Sequence, residues 1–193
     1  MGVYNKNSAD YPAVNCNNNG EVNLTVYGKT GGGTAGYFSG VIGYTSNAVT
    51  NCHNNAKVNI KTFLAAVNAA GVVGYCYNFN CENLTNNAEV NIEVMGITTA
   101  GKTFYLAGVV GCASNITNCH NNCATTVTLQ PNSNAIKTLY TGGVAGYANV
   151  LIKDCTLNAP YGLTTDEHAA SLRCAGIVGQ VKTASSTTST VVN

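Results

Sequence analysis

Gly71-Val72-Val73-Gly74-Tyr75, then Asn83-Leu84-Thr85-Asn86-Asn87, then Val90-Asn91-Ile92-Glu93-Val94 is the stretch that decides the fold, because its three parts recur along the chain. The Gly-x-x-Gly part returns as Gly40-Val41-Ile42-Gly43, Gly108-Val109-Val110-Gly111, Gly143-Val144-Ala145-Gly146 and Gly176-Ile177-Val178-Gly179, at intervals of 31, 37, 35 and 33 residues. The Asn-rich part returns as Asn51-Cys52-His53-Asn54-Asn55, Asn118-Cys119-His120-Asn121-Asn122 and Asp154-Cys155-Thr156-Leu157-Asn158, with an earlier copy at Asn15-Cys16-Asn17-Asn18-Asn19. The third part alternates apolar with polar residues: Val22/Leu24/Val26, Val58/Ile60, Val90/Ile92/Val94 and Val127/Leu129. A period of two marks a strand with one buried face.

Short strands, turn residues and a recurring unit of this length are the signature of a solenoid. The expectation is an all-β chain: a parallel, right-handed β-helix of about five coils, with three short strands per coil. Residues 1–193 form one repeat region, with repeats starting near 2, 40, 71, 108, 143 and 176, and unequal repeat lengths are absorbed in a loop after the alternating strand. Coils stack about 4.8 Å apart, so equivalent residues form columns. Cys16, Cys52, Leu84, Cys119 and Cys155 share one small apolar slot, and Leu84 means that the slot does not require a thiol. The Asn pairs mark a corner, where Asn tolerates left-handed backbone and its amide bonds to the coils above and below. Both central residues of every Gly-x-x-Gly are apolar, so alternation does not say which of them faces inward. The column Tyr44, Tyr75, Cys112, Tyr147, Gln180 is equally consistent with a core row and a surface stripe.

Composition narrows the function. Charged residues are 9% of the chain, the net charge is +1 and the mean hydropathy is +0.05. A nucleic-acid binder needs a basic stripe and a membrane-surface anchor a polybasic one; neither is present, and no apolar run approaches the ~20 residues of a membrane span. Neutral Asn, Thr, Ser and Gly carry the solubility, which suits turn-dense β structure.

Several motifs imitate chemistry. Gly96-Ile97-Thr98-Thr99-Ala100-Gly101-Lys102-Thr103 fits the phosphate-binding loop pattern, and Val150-Leu151-Ile152-Lys153-Asp154 imitates its magnesium strand. That loop needs a helix starting at the Lys to aim N–H groups at phosphate; here Phe104-Tyr105-Leu106-Ala107 runs into a repeat strand, and Asp154 occupies the Asn118 column. Cys119, His120 and Cys123 suggest zinc, but adjacent strand residues point to opposite faces, and His53 lies two coils from His120. Cys76/Cys81 and Cys119/Cys123 are candidate disulfides; nine Cys in a column pattern read instead as mostly free, buried thiols. Asp10, Glu21, Glu82, Glu89, Glu93, Asp154, Asp166 and Glu167 are scattered, so the paired acids of a glycosidase are not visible. Glu21, Lys57 and Glu89 read as a surface charge ladder, and Asp166-Glu167-His168 as a loop insertion. Asn23, Asn83 and Asn115 open glycosylation-type triplets that so Asn- and Thr-rich a chain produces by chance. No residue is assigned a catalytic, cofactor-binding or metal role, and no cofactor is expected.

The succession Gly-Val-Val-Gly-Tyr, Ile-Thr-Asn-Cys and Val-x-Ile resembles the GLUG-motif repeat of bacterial surface and secreted proteins, over about Gly2 to Gln180. The repeats here are richer in Asn, and the corner fades at Leu157-Asn158-Ala159-Pro160. The resemblance implies extracellular or cell-surface display and a structural or adhesive role: an adhesin stalk, filament or scaffold element, not an enzyme. A carbohydrate-binding or carbohydrate-active β-helix and a non-catalytic accessory region of a surface peptidase are the alternatives. The tyrosine column discriminates, since a sugar site needs exposed rings. Export would rest on a signal and anchor outside this chain. Gly2-Val3-Tyr4-Asn5 and Val191-Val192-Asn193 read as cut or open solenoid ends, from a longer array or a stacking unit. The expected partners are neighbouring repeats or further copies through those ends, then surface glycans or host proteins, with no nucleic acid and no membrane insertion.

Overall fold

The structure, a computed structural model, describes residues 12–27, 35–64, 66–95, 102–130, 136–165, 171–182 and 191–192. Its regular elements are all strands, in parallel sheets stacked as a β-solenoid of about four turns.

Four sheets run along the solenoid, one more than three strands per coil provides. The first face holds Ala13–Val14, Ile42–Tyr44, Val49–Thr50, Val73–Cys76, Cys81–Glu82, Val110–Thr117, Ala145–Lys153, Val178–Val181 and Val191–Val192. The second holds the two-residue strands Asn17–Asn18, His53–Asn54, Thr85–Asn86, His120–Asn121 and Thr156–Leu157. The third holds Val22–Val26, Val58–Thr62, Val90–Val94, Thr125–Leu129 and Tyr161–Thr164. The fourth, Ala35–Ser39, Ala66–Ala70, Lys102–Ala107, Ile136–Gly142 and Leu172–Ala175, lies in what the sequence reads as loop. Ala66–Ala70 explains why: all five residues are buried, because both sides of the strand are covered. A strand covered on both sides has no reason to alternate.

The left-handed corner falls at the residue before the Cys/Leu column, not at the Asn pairs, whose members Asn54, Asn86 and Asn121 lie in strands of the second face. Asn15, Asn51, Asn83, Asn118 and Asp154 have φ between 51° and 58°, the left-handed region that Asn and Asp adopt most readily among residues with a Cβ. That twist ends the first face and turns the next side chain inward, so Cys52, Leu84 and Cys119 are fully buried in one slot, with Cys16 and Cys155 packed on it. The thiols of Cys52, Cys119 and Cys155 each donate to the carbonyl two residues earlier, at 3.4, 3.4 and 3.2 Å.

At Gly-x-x-Gly both apolar residues face inward, because the chain bends between them. The carbonyl of Val109 accepts from the N–H groups of Val72 and Val73, at 3.1 and 3.0 Å, and that of Val144 accepts from Val109 and Val110, at 3.1 and 2.9 Å. Two successive N–H groups converging on one carbonyl make the corner, and Val72, Val73, Val109 and Val110 are all buried. Their cluster continues through Val49, Cys81, Ile116 and Ile152. A second core cluster fills the space between the third and fourth faces with Val58, Ile60, Val90, Ile92, Val127, Phe104, Leu106 and Leu139.

Candidate functional site

The densest concentration of chemically distinctive side chains lies where the first and fourth faces meet. A Cβ added at Gly43, the second Gly of its repeat, would stand 2.6 Å from the Tyr37 carbonyl oxygen, so this position must be Gly for the two faces to approach. Side chains beyond the contact then interleave. The fourth face contributes the column Tyr37, Asn68, Tyr105, Tyr140, Arg173, and the first face Tyr44, Tyr75, Cys112, Tyr147, Gln180.

Seven tyrosines join into one network. Tyr44 stacks on Tyr75 at 5.8 Å and 9°, and Tyr105 on Tyr140 at 5.2 Å and 8°. Tilted contacts tie the columns together: Tyr37 with Tyr44 and Tyr75 at 5.0 and 5.3 Å, Tyr75 with Tyr105 at 6.4 Å, and Tyr147 with Tyr105 and Tyr140 at 5.5 and 5.2 Å. Each such pair contributes about 0.5–1.5 kcal/mol beyond its buried area. Arg173 closes the row with its guanidinium carbon 5.4 Å from the Tyr140 ring centre.

The missing rung at Cys112 is filled from elsewhere. Tyr77, in the turn after Val73–Cys76, stacks between Tyr75 and Tyr147, at 6.1 and 6.2 Å. Its hydroxyl donates to Asn149 Oδ1 at 3.4 Å. Asn149 lies where the register of Ala145–Lys153 slips by one residue against Val110–Thr117, a bulge that re-aims a side chain. Cys112 is fully buried at the level of Tyr77, and burial pushes its thiol well up. Truncating Tyr77→Ala is expected to raise the labelling rate of Cys112 by a maleimide by about tenfold or more, through access alone. Peptide mapping of the labelled thiols checks this.

The network is poorly suited to proton transfer or sugar stacking. Burial pushes the phenols of Tyr37, Tyr75, Tyr105 and Tyr147 up, away from any neutral-pH titration. Tyr147 is 6% exposed, Tyr44 and Tyr75 are half-buried, and Tyr75 and Tyr77 each carry a stacked ring on both sides. Tyr75 and Tyr77 therefore present no open ring face of the kind a pyranose needs.

The outer side of the third face holds an open groove of about 270 Å³ lined by Asn23, Thr25, Asn59, Lys61, Asn91 and Glu93. Its polar groups are engaged with one another: Asn59 Nδ2 donates to Asn23 Oδ1 at 2.7 Å, Asn91 Nδ2 to Asn59 Oδ1 at 2.9 Å, and Lys61 pairs with Glu93 at 3.1 Å.

The other residues singled out by sequence are dispersed. Cys119 points into the core, while the His120 ring faces outward between Thr156 Oγ1 and Asn118 Oδ1, both at 2.8 Å, and Cys123 donates to the Asn87 carbonyl at 3.2 Å. Thr85 separates His53 from His120 in their column. Among the described residues no three His, Cys, Asp or Glu side chains gather as metal ligands. Lys102 opens a strand, not a helix, and Asp154 takes its left-handed place in the Asn column; residues 96–101, like Asp166-Glu167-His168 and Asp10, lie outside the described residues. Lys57 and Glu89 pair at 2.8 Å on the surface, with Glu21 Oε1 accepting from Asn59 Nδ2 at 3.2 Å.

All nine cysteines are free, the candidate pairs Cys76/Cys81 and Cys119/Cys123 included. In-register stacking explains this for the column, since neighbouring Cβ atoms stay about 4.8 Å apart and a disulfide needs about 3.5–4.5 Å. Burial pushes the Cys52 thiol up to about 11 and raises Cys119; a hydrogen bond with Cys76, then burial, raises Cys81. A hydrogen bond with Cys119 lowers Cys155, whereas folded Cys52, Cys81 and Cys119 keep protons that the unfolded chain releases above about pH 8.5. Their contribution is fully present below that value and is lost as pH rises through the folded values. The urea midpoint should therefore fall as pH rises from about 8.5 to about 11, with little change below.

No protein-family model, curated protein or solved structure matches this chain.

Proposed function

We propose that this chain is a structural segment of a bacterial cell-surface or secreted protein, serving as an adhesin stalk, filament or scaffold element. The observation that carries the reading is that the Asn ladders, stacked rings and buried thiols are bonded mainly within their own columns. Asn amides bond to Asn amides, as in Asn54 to Asn86 at 2.8 Å, rings stack on rings, and thiols bond to their own backbone. Side chains spent on one another hold a shape; a catalytic site would leave groups turned toward a substrate. The repeat's resemblance to GLUG-motif proteins supports display outside the cell. The stacking partner that fits such coils is a further coil of the same repeat, since parallel edges present unpaired backbone groups. Brief protease treatment of intact native cells, followed by fractionation, tests the location. The chain should be removed from the cell surface or found in the medium; recovery of intact protein only from the cytoplasm would overturn the reading. Retention on a glycan array, abolished by Tyr44→Ala, would replace it with the carbohydrate reading.

A further inference from the structure

We propose that the tyrosine network is a site of oxidative cross-linking, at which Tyr44–Tyr75 and Tyr105–Tyr140 become intrachain dityrosines that staple adjacent coils. Three observations carry this. The members of each pair are direct register partners on neighbouring parallel strands, so equivalent ring carbons lie opposite each other. The rings of each pair are stacked nearly parallel, at 9° and 8°, with centres 5.8 and 5.2 Å apart. The four phenols are only half-buried, so an oxidant or its mediator reaches them. Tyr37, Tyr77 and Tyr147 extend the contacts, so a radical formed on one ring has neighbours within 6.4 Å along the row.

The chemistry needs a one-electron oxidant, and we assign that role to hydrogen peroxide used by a haem peroxidase. Each phenol loses one electron and one proton to become a tyrosyl radical. Two radicals on stacked rings form one carbon–carbon bond between the positions next to the oxygens. The proton on each coupled carbon then moves, through solvent, to the oxygen of its own ring, which restores the aromatic phenol. One peroxide is reduced to two waters, so the balance is two tyrosines and one peroxide to one dityrosine and two waters. The link joins residues one coil apart and shortens the loop that the unfolded chain can explore, which stabilises the fold in the manner of a disulfide.

The test treats the folded protein with a haem peroxidase and hydrogen peroxide. The products are read by dityrosine fluorescence, denaturing electrophoresis, intact mass and peptide mapping. The expected result is a monomeric chain that loses two hydrogen atoms per link. Links at Tyr44–Tyr75 and Tyr105–Tyr140 should exceed every other tyrosine pair by about tenfold or more, as pre-aligned partners do. Tyr44→Phe and Tyr140→Phe should each delete one link and spare the other, with circular dichroism confirming the fold. Three results would overturn the proposal: intermolecular links through Tyr27, the 77% exposed ring, dominating the products; links spread evenly over the network; or the same two intrachain links forming equally well in denaturing urea.

Discussion

Replacing Asn86 by Ala is expected to lower the unfolding free energy by about 3–5 kcal/mol, and replacing its neighbour Asn87 by Ala by less than about 1 kcal/mol. The two residues are adjacent and chemically identical, so the contrast isolates their surroundings. Asn86 is completely buried; it accepts from Asn54 Nδ2 at 2.8 Å and donates to Asn121 Oδ1 at 2.8 Å and the Ala88 carbonyl at 2.7 Å. Truncation strands two buried amides, Asn54 and Asn121, and frees the half-buried Ala88 carbonyl, and each buried group costs about 1–3 kcal/mol when left unpaired. The direction of this ladder is set at its end, where Asn121 Nδ2 donates to the Gly143 carbonyl, a group that can only accept. The exposed ladder through Asn87 runs the other way, from Asn158 to Asn122 to Asn87 to Asn55 to Asn19. Water can replace any of its members. Urea unfolding followed by circular dichroism measures both variants.

The second large effect is expected at Gly71. An alanine Cβ there would press against the Gly108 carbonyl oxygen of the next coil and stand 2.8 Å from Asn86 Oδ1. Backbone on one side and a buried amide on the other leave it no room, so Gly71→Ala should cost about 3 kcal/mol, the upper part of the range for an overpacked core. It should also couple to the ladder. In an Asn86→Ala background one of the two obstacles is gone, so the added cost of Gly71→Ala should shrink by about 1 kcal/mol, a non-additivity typical of residues in contact. A double-mutant cycle in urea reads the coupling. Full additivity would separate the first Gly of the repeat from the buried Asn column.

Much of this was legible in sequence because stacking turns a repeat into columns. The Cys/Leu slot, the Asn amide ladders and the alternating strand of the third face follow from residues that recur at equivalent positions, whereas the left-handed corner sits at Asn51, Asn83 and Asn118 and not at the Asn pairs. The fourth face was illegible for a physical reason. Ala66–Ala70 lies against the core on one side and the tyrosine rows on the other, so nothing in its composition separates strand from loop. The inward orientation of both Val72 and Val73 needed the bend between them, which periodicity cannot express. Tyr77 was hidden for another reason: it fills a rung of the neighbouring coil from a turn, outside its own column. The candidate site was half visible. The first-face tyrosines could be read as a column, but their partners Tyr37, Tyr105 and Tyr140 sit in the face that the sequence concealed.

The account rests on columns of equivalent residues held in register by parallel stacking. The most direct measurement is the nuclear Overhauser contacts and hydrogen exchange of the Asn86 side-chain amide. Its two hydrogens should exchange slowly and show contacts to both Asn54 and Asn121, residues one coil away on either side. An Asn86 amide that exchanges at the solvent rate, with no contact to either residue, would contradict the stacked solenoid.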